Sequence, residues 1–358
     1  MAGKKRKGKK RAVKHSLSTK TAKPDHVKRS TKPMGETARS SKNMFEELRG
    51  MLLDDPGVIF VMIIAFVGVL AYLFSLNGAF VFDDRPNIVD NPAIYGIGSA
   101  ITDTFHSRVI GFITFALNYK SHGLEVEGYH IFNLVIHLVC ALLIFWLVTL
   151  TFKTPFFKGS ILAESRLTPL IVALFASLVF IAHPVQTQAV SYTVQRFTSL
   201  ATLFYLLSLA LYAKWRLATD RPEGHSIFVF KVSVDLGVKK AFFYTAALIA
   251  ALLAMLTKEI AFTLPVIVAL WEFAFFNGPL KRRALNLLPF AFTLPVIPLA
   301  LAGSRASLTS AGGTMEPPPA VDYFLTQLRV IVTYLRLLVL PLGQNLDYDY
   351  PVYRSFLN

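Results

Sequence analysis

The sequence predicts an all-α protein, a polytopic bundle of about eight or more membrane helices with interfacial helices in its first outer loop. Three observations predict it. Apolar residues make up 54% of the 358-residue chain, and mean hydropathy is +0.50. Apolar runs approaching the length that crosses a bilayer recur along the chain. Lys and Arg concentrate on every second loop, as alternating membrane sides require.

Residues 1–43 form the first region, a basic tail rich in Lys, Ser and Thr and poor in large apolar residues. It cannot bury enough surface to fold alone, so it reads as a disordered cytoplasmic segment that fixes orientation and touches anionic lipid. Most of the net charge of +15 lies here. The alternative, a nucleic-acid patch, is the weaker reading, and no nucleic-acid partner is expected. Residues 44–358 form the membrane domain. It opens with a short amphipathic helix at Asn43–Leu53 and a first span at Val58–Leu76. Residues 77–128 are the first outer loop. Within it Arg108–Tyr119 is apolar but too short to span comfortably, which predicts an interfacial helix. Further spans follow at Tyr129–Leu150, Leu167–Ile181, Phe197–Tyr212, Ala241–Leu256, Ile260–Phe276 and Leu285–Ala302. After a Gly/Pro-rich loop, a last helix runs near Val321–Leu342.

With the tail inside, the inner loops carry Lys153 and Lys158, then Lys214, Arg216, Arg221, Lys239 and Lys240, then Lys281-Arg282-Arg283. Four polar stretches then share the opposite, outer side: Asp83-Asp84, His183–Arg196, Lys258-Glu259 and the Gly/Pro-rich loop. That shared side predicts one polar pocket built from distant parts of the chain.

The chemical centre is expected at Phe82-Asp83-Asp84-Arg85, just past the first span. Taken alone, adjacent acids are as a rule a solvated turn or a helix cap. Arg196 and Lys258 sit at span boundaries on the same side, where they suit a lipid-linked phosphate, Arg by bidentate contacts and Lys as a point charge. Their alternative role is snorkelling to the interface. Arg85 is a third candidate phosphate contact. His130, Asn133 and His137 lie on one face of the second span and suit bonds to a neighbouring helix better than a metal. His130, His183, Gln195 and Glu259 are candidate cavity-lining residues. A carboxylate beside an outer phosphate site points to group transfer from a lipid phosphate. Asp83 or Asp84 would act as general base, and the cations would stabilise the departing phosphate. A divalent cation is compatible with the Asp pair, but no further ligand is identifiable.

The motifs Phe82-Asp83-Asp84-Arg85 with Asn87 and Asn91, Tyr129-His130 with Asn133 and His137, His183-Pro184 through Tyr192 to Gln195-Arg196, and Lys258-Glu259 occur in this order over about 77–350. Together they resemble the membrane portion of the transmembrane and tetratricopeptide-repeat O-mannosyltransferase-like family and its bacterial relatives. The resemblance implies a GT-C glycosyltransferase fold, a catalytic acid in the first outer loop at Asp83 or Asp84, and a polyprenyl- or dolichyl-phosphate sugar as donor. It implies a protein or glycan acceptor, and a bacterial inner membrane or, alternatively, an endoplasmic reticulum membrane. Two departures stand out. Gln188 occupies a place where family members commonly carry an acid, and the helical repeats expected after the membrane part are missing from the chain.

Two competing readings remain at this point. A transporter or flippase would carry charges at mid-span, whereas these cluster at span ends. A non-catalytic scaffold would depend on the basic tail. The single Cys140 lies in an apolar run, so no intrachain disulfide forms and the redox compartment is unreadable.

Overall fold

The structure, a computed structural model, describes residues 56–104, 108–220, 236–302, 319–346, 348 and 350–355. The basic tail, the helix expected at Asn43–Leu53, most of the inner loop before Lys240 and the Gly/Pro-rich loop lie outside the described residues. Of two units divided by contact, Leu52–Asn358 holds everything described.

The described residues are helical, with no strand among them. The longer helices are α1 (Pro56–Tyr72), α2 (Ile97–Thr104), α3 (Val109–His122), α4 (Val126–Thr151), α5 (Leu167–Ala182), α6 (Arg196–Asp220), α7 (Leu236–Met255), α8 (Leu264–Phe275), α9 (Leu280–Ala291) and α10 (Ala320–Val339). Four stretches are long and apolar enough to cross a membrane: Pro56–Ser75, Val126–Thr151, Thr193–Thr219 and Leu280–Ala302. A fifth is reached if α5 counts together with Pro184–Ser191, to which it is bent by 54°.

Eight spans were expected from apolar runs, and the helices account for the difference. The run at Ile260–Phe276 splits into a 3-10 turn, Glu259–Thr263, and a helix of only 12 residues. The apolar part of α7 is Lys240–Met255, shorter than a full crossing. The last helix, α10, carries Asp322, Arg329 and Arg336 and buries only Leu325 and Leu337.

Small residues set how closely the helices approach, as is common between membrane helices. A Cβ on Gly68 of α1 would lie 2.6 Å from Leu138 Cδ2 and 2.9 Å from Ile181 Cγ1, so only glycine lets α1 seat against α4 and α5. Ala247, Ala250, Ala251 and Ala254 form a buried face of α7, next to which Ser208 Oγ of α6 donates to the Ala247 carbonyl at 2.8 Å. Ser177 of α5 likewise donates to Ala141 O of α4 at 2.9 Å. α4 and α6 begin at the same end of the bundle, where α7 finishes. The loop at 77–96, α3 and the segment Pro184–Gln195 gather at that end.

Candidate functional site

The loop after α1 turns sharply at Phe82, whose φ is +45°. Few non-glycine residues occupy that region, and such strain collects at functional or closely determined sites. The turn sends the two acids in different directions. Asp84 is fully buried. Its Oδ2 accepts the Val81 N–H at 3.0 Å, closing the turn, and its Oδ1 accepts the Val194 N–H at 2.7 Å. Burial raises its pKa above the ordinary carboxylate value; N–H groups of Val81, Val194 and Thr193, and the nearby His130, oppose the rise. Asp83 is exposed. Its backbone is tied down, the N–H donating to Tyr192 Oη at 3.2 Å and the carbonyl accepting from Asn87 Nδ2 at 2.8 Å. Arg85 points to solvent beside Asp90, 3.6 Å away.

Arg196 occupies a different environment from the phosphate contact expected of it. It is fully buried. Its Nε donates to Asn133 Oδ1 at 2.7 Å, Nη1 to Asn118 Oδ1 at 2.6 Å and Thr114 O at 3.3 Å, and Nη2 to Tyr129 O at 3.0 Å. Its guanidinium lies 4.4 Å from the centre of the Phe115 ring and 4.6 Å from that of Phe132. A single cation thereby joins α3, α4 and α6. The physical reason is supply: the helix ends around it offer carbonyls and Asn oxygens on all sides, and a buried guanidinium must satisfy its donors locally.

His130 is not on the cavity wall expected for it. It is fully buried, its Nδ1 2.9 Å from the Val190 carbonyl and its Nε2 enclosed without a hydrogen-bond partner among the described residues. His183 caps the turn Pro184–Gln186 by accepting the Val185 N–H, and its Nε2 donates to Leu338 O at 3.1 Å. A cavity at this end, of about 330 Å³, is lined by His137, Gln186, Gln188, Gln195, Thr198 and Thr202 among others. Its polar wall is mainly amide and hydroxyl, with the His137 imidazole, and among the described residues no carboxylate, Lys or Arg lines it.

Lys258 stands beside that wall. Its Nζ donates to Thr198 Oγ1 at 2.6 Å, and Thr198 donates to Gln195 Oε1 at 2.6 Å. Burial lowers the Lys258 pKa, and the neighbouring Arg108 lowers it further, while Glu259 acts against both. Glu259 pairs with Arg108, Nε to Oε1 at 3.3 Å and Nη2 to Oε2 at 3.4 Å. Arg108 escaped the sequence reading as a site residue because it was absorbed into the start of an apolar helix. Its polar neighbours lie 150 positions away, where no local pattern shows them.

A second cluster also escaped it. Glu272 of α8 is fully buried and accepts from Arg216 Nε at 2.9 Å and Tyr212 Oη at 3.0 Å, with Arg283 Nε 3.5 Å away. Arg216 lies about 30 Å along α6 from Arg196, given the helical rise per residue. The available signal was Glu272 itself, an acid inside an apolar run. Among the described residues no group of three or more His, Cys, Asp or Glu side chains is placed to hold a metal ion.

Comparison with known proteins gives a consistent direction. The chain is similar to protein O-mannosyl-transferases. The protein O-mannosyl-transferase F38B6.6 of Caenorhabditis elegans is 32% identical over 176 residues, 45% of this chain and 24% of that protein. TMTC4 of Mus musculus is 30% identical over 194 residues, 49% of this chain and 26% of that protein. Tmtc2 of Drosophila melanogaster aligns over more, 316 residues at 27% identity, or 81% of this chain and 30% of that protein. The chain thus spans about a quarter of the length of the first of these relatives. No family model matches it, and no solved structure does.

Proposed function

We propose that the chain is an integral-membrane glycosyltransferase of GT-C type, moving a sugar, with mannose the first candidate, from a polyprenyl-phosphate donor to a hydroxyl of a protein acceptor. The observation that carries this is the division of labour in the Asp pair: one carboxylate is locked in the fold and the other is held at the surface of the same turn. The names of the relatives supply the sugar and the acceptor class.

In this mechanism Asp83 takes the proton of the acceptor hydroxyl. The hydroxyl oxygen attacks the anomeric carbon from the side opposite the phosphate. The bond from that carbon to the phosphate oxygen breaks, and the lipid phosphate leaves with the electron pair. A cation at the phosphate stabilises the charge that develops there. Of the three cations read from the sequence we assign this to Lys258. Arg85 stays near Asp90, and Arg196 is committed to protein acceptors. The amide and hydroxyl cavity along Gln188, Gln195 and Thr198 suits the uncharged hydroxyls of a sugar.

The fuller count of about eight membrane helices belongs to this assignment, with α5, α7, α8 and α10 as shorter or broken crossings. So does the outer-face location, on a bacterial inner membrane or, equivalently in topology, on the lumenal face of an endoplasmic reticulum. Mass spectrometry of lipid-linked sugars and glycopeptides from cells with and without the chain tests the function. Loss of hexose from Ser/Thr peptides when the chain is absent is expected; identical glycopeptides in both would refute it.

A further inference from the structure

Arg108 and Lys258 come from distant parts of the chain and meet at one niche. The niche is completed by Glu259 and by four apolar residues, Met255, Ile297, Ala300 and Leu301. Three of these belong to the stretch Leu280–Ala302, one of those able to cross a membrane. Among the described residues two cations therefore face a single carboxylate beside an apolar wall, leaving one positive charge in excess. Arg108 has φ +58° and lies at the start of α3, so its backbone is in the sparsely populated left-handed region. Its side chain is 36% exposed and that of Glu259 37%, so the pair is open to exchange with solvent or ligand. An exposed pair of this kind adds little stability, which gives the carboxylate little hold on Arg108.

We propose that Arg108 and Lys258 form the seat for the phosphate of a lipid phosphate, and that Glu259 is a stand-in anion displaced from Arg108 when the phosphate arrives. This rests on the transferase reading above and identifies which groups hold the donor's charged end. Arg108 offers a planar fork to two phosphate oxygens, and Lys258 a point charge to a third. The hydrocarbon chain leaves along Ile297, Ala300 and Leu301. The sugar extends the other way, past Thr198 towards Gln195, because Lys258 already bonds Thr198 and Thr198 bonds Gln195.

The test is equilibrium binding of farnesyl phosphate to the purified full chain in nanodiscs, with farnesol and inorganic phosphate as separate arms. Arg108→Gln and Lys258→Gln should each weaken farnesyl phosphate binding about tenfold or more, the scale of one lost charge-assisted contact. Glu259→Gln should tighten it, because the competing anion is gone. Farnesol and inorganic phosphate should each bind at least tenfold more weakly than farnesyl phosphate. Wild-type affinity in both cation variants, or unchanged or weaker binding by Glu259→Gln, would overturn the seat; Glu259→Gln keeps the test open should Arg108→Gln fail to fold. Equal binding of inorganic phosphate or of farnesol would overturn its lipid-phosphate specificity. If the wild type binds farnesyl phosphate as described yet transfers no sugar, the transferase reading falls and the seat stands.

Discussion

The Asp84 carboxylate accepts the Val194 N–H at 2.7 Å, across 110 positions of sequence. That bond fastens the loop after α1 to the segment leading into α6. It also settles the geometry of its neighbour, because a turn that sends one side chain inward presents the adjacent one outward. Asp83 owes its exposed position to Asp84.

Acid should favour the wild type over Asp84→Asn. Burial raises the folded pKa of Asp84 above its unfolded value, so the folded chain holds the proton more tightly. Stability from this group is then greatest below the unfolded pKa and declines as pH rises through the folded one. The advantage of the wild type over Asp84→Asn, followed by thermal unfolding in detergent from about pH 4 to about pH 7, should shrink with rising pH. An advantage that grows instead would mean that the N–H bonds outweigh desolvation.

Arg196→Lys should cost stability rather than substrate affinity. Lysine keeps the charge but cannot reach Asn118, Asn133, Thr114 and Tyr129 together, and each buried acceptor left bare costs about 1–3 kcal/mol. A lower Tm with an unchanged donor KM is expected. A normal Tm with a raised donor KM would return Arg196 to the substrate.

Glu272 and Arg216 should behave as a coupled pair. Breaking a buried ion pair from one side costs about 3–5 kcal/mol. Arg216→Met and Glu272→Gln should each approach that loss, and the double variant should lose clearly less than the sum. Additive losses in unfolding measurements would mean that the two act independently.

Much of the fold could be read from the sequence, for reasons that also explain the rest. Long uniform apolar runs gave α1, α4 and α5 nearly at their observed bounds, whereas α6 continues past the expected Tyr212 to Asp220. The shared face of His130, Asn133 and His137 followed from helical spacing, and all three are buried. Helix α8 was read too long because apolar composition alone does not mark the 3-10 turn at Glu259–Thr263. Arg196 was misjudged for a related reason. A cation at a span boundary looks the same in sequence whether water or a ring of carbonyls surrounds it. The contrast within the Asp pair was also hidden, since adjacent identical residues differ only in which way the turn points them.

The most direct test compares Asp83→Asn with Asp84→Asn in one sugar-transfer assay, with Tm recorded for both. Asp83→Asn should insert, unfold at the wild-type temperature and lose about 10²-fold or more of its transfer rate, the usual share of a general base. Asp84→Asn should unfold at a lower temperature. Full transfer activity in a folded Asp83→Asn protein would contradict the account.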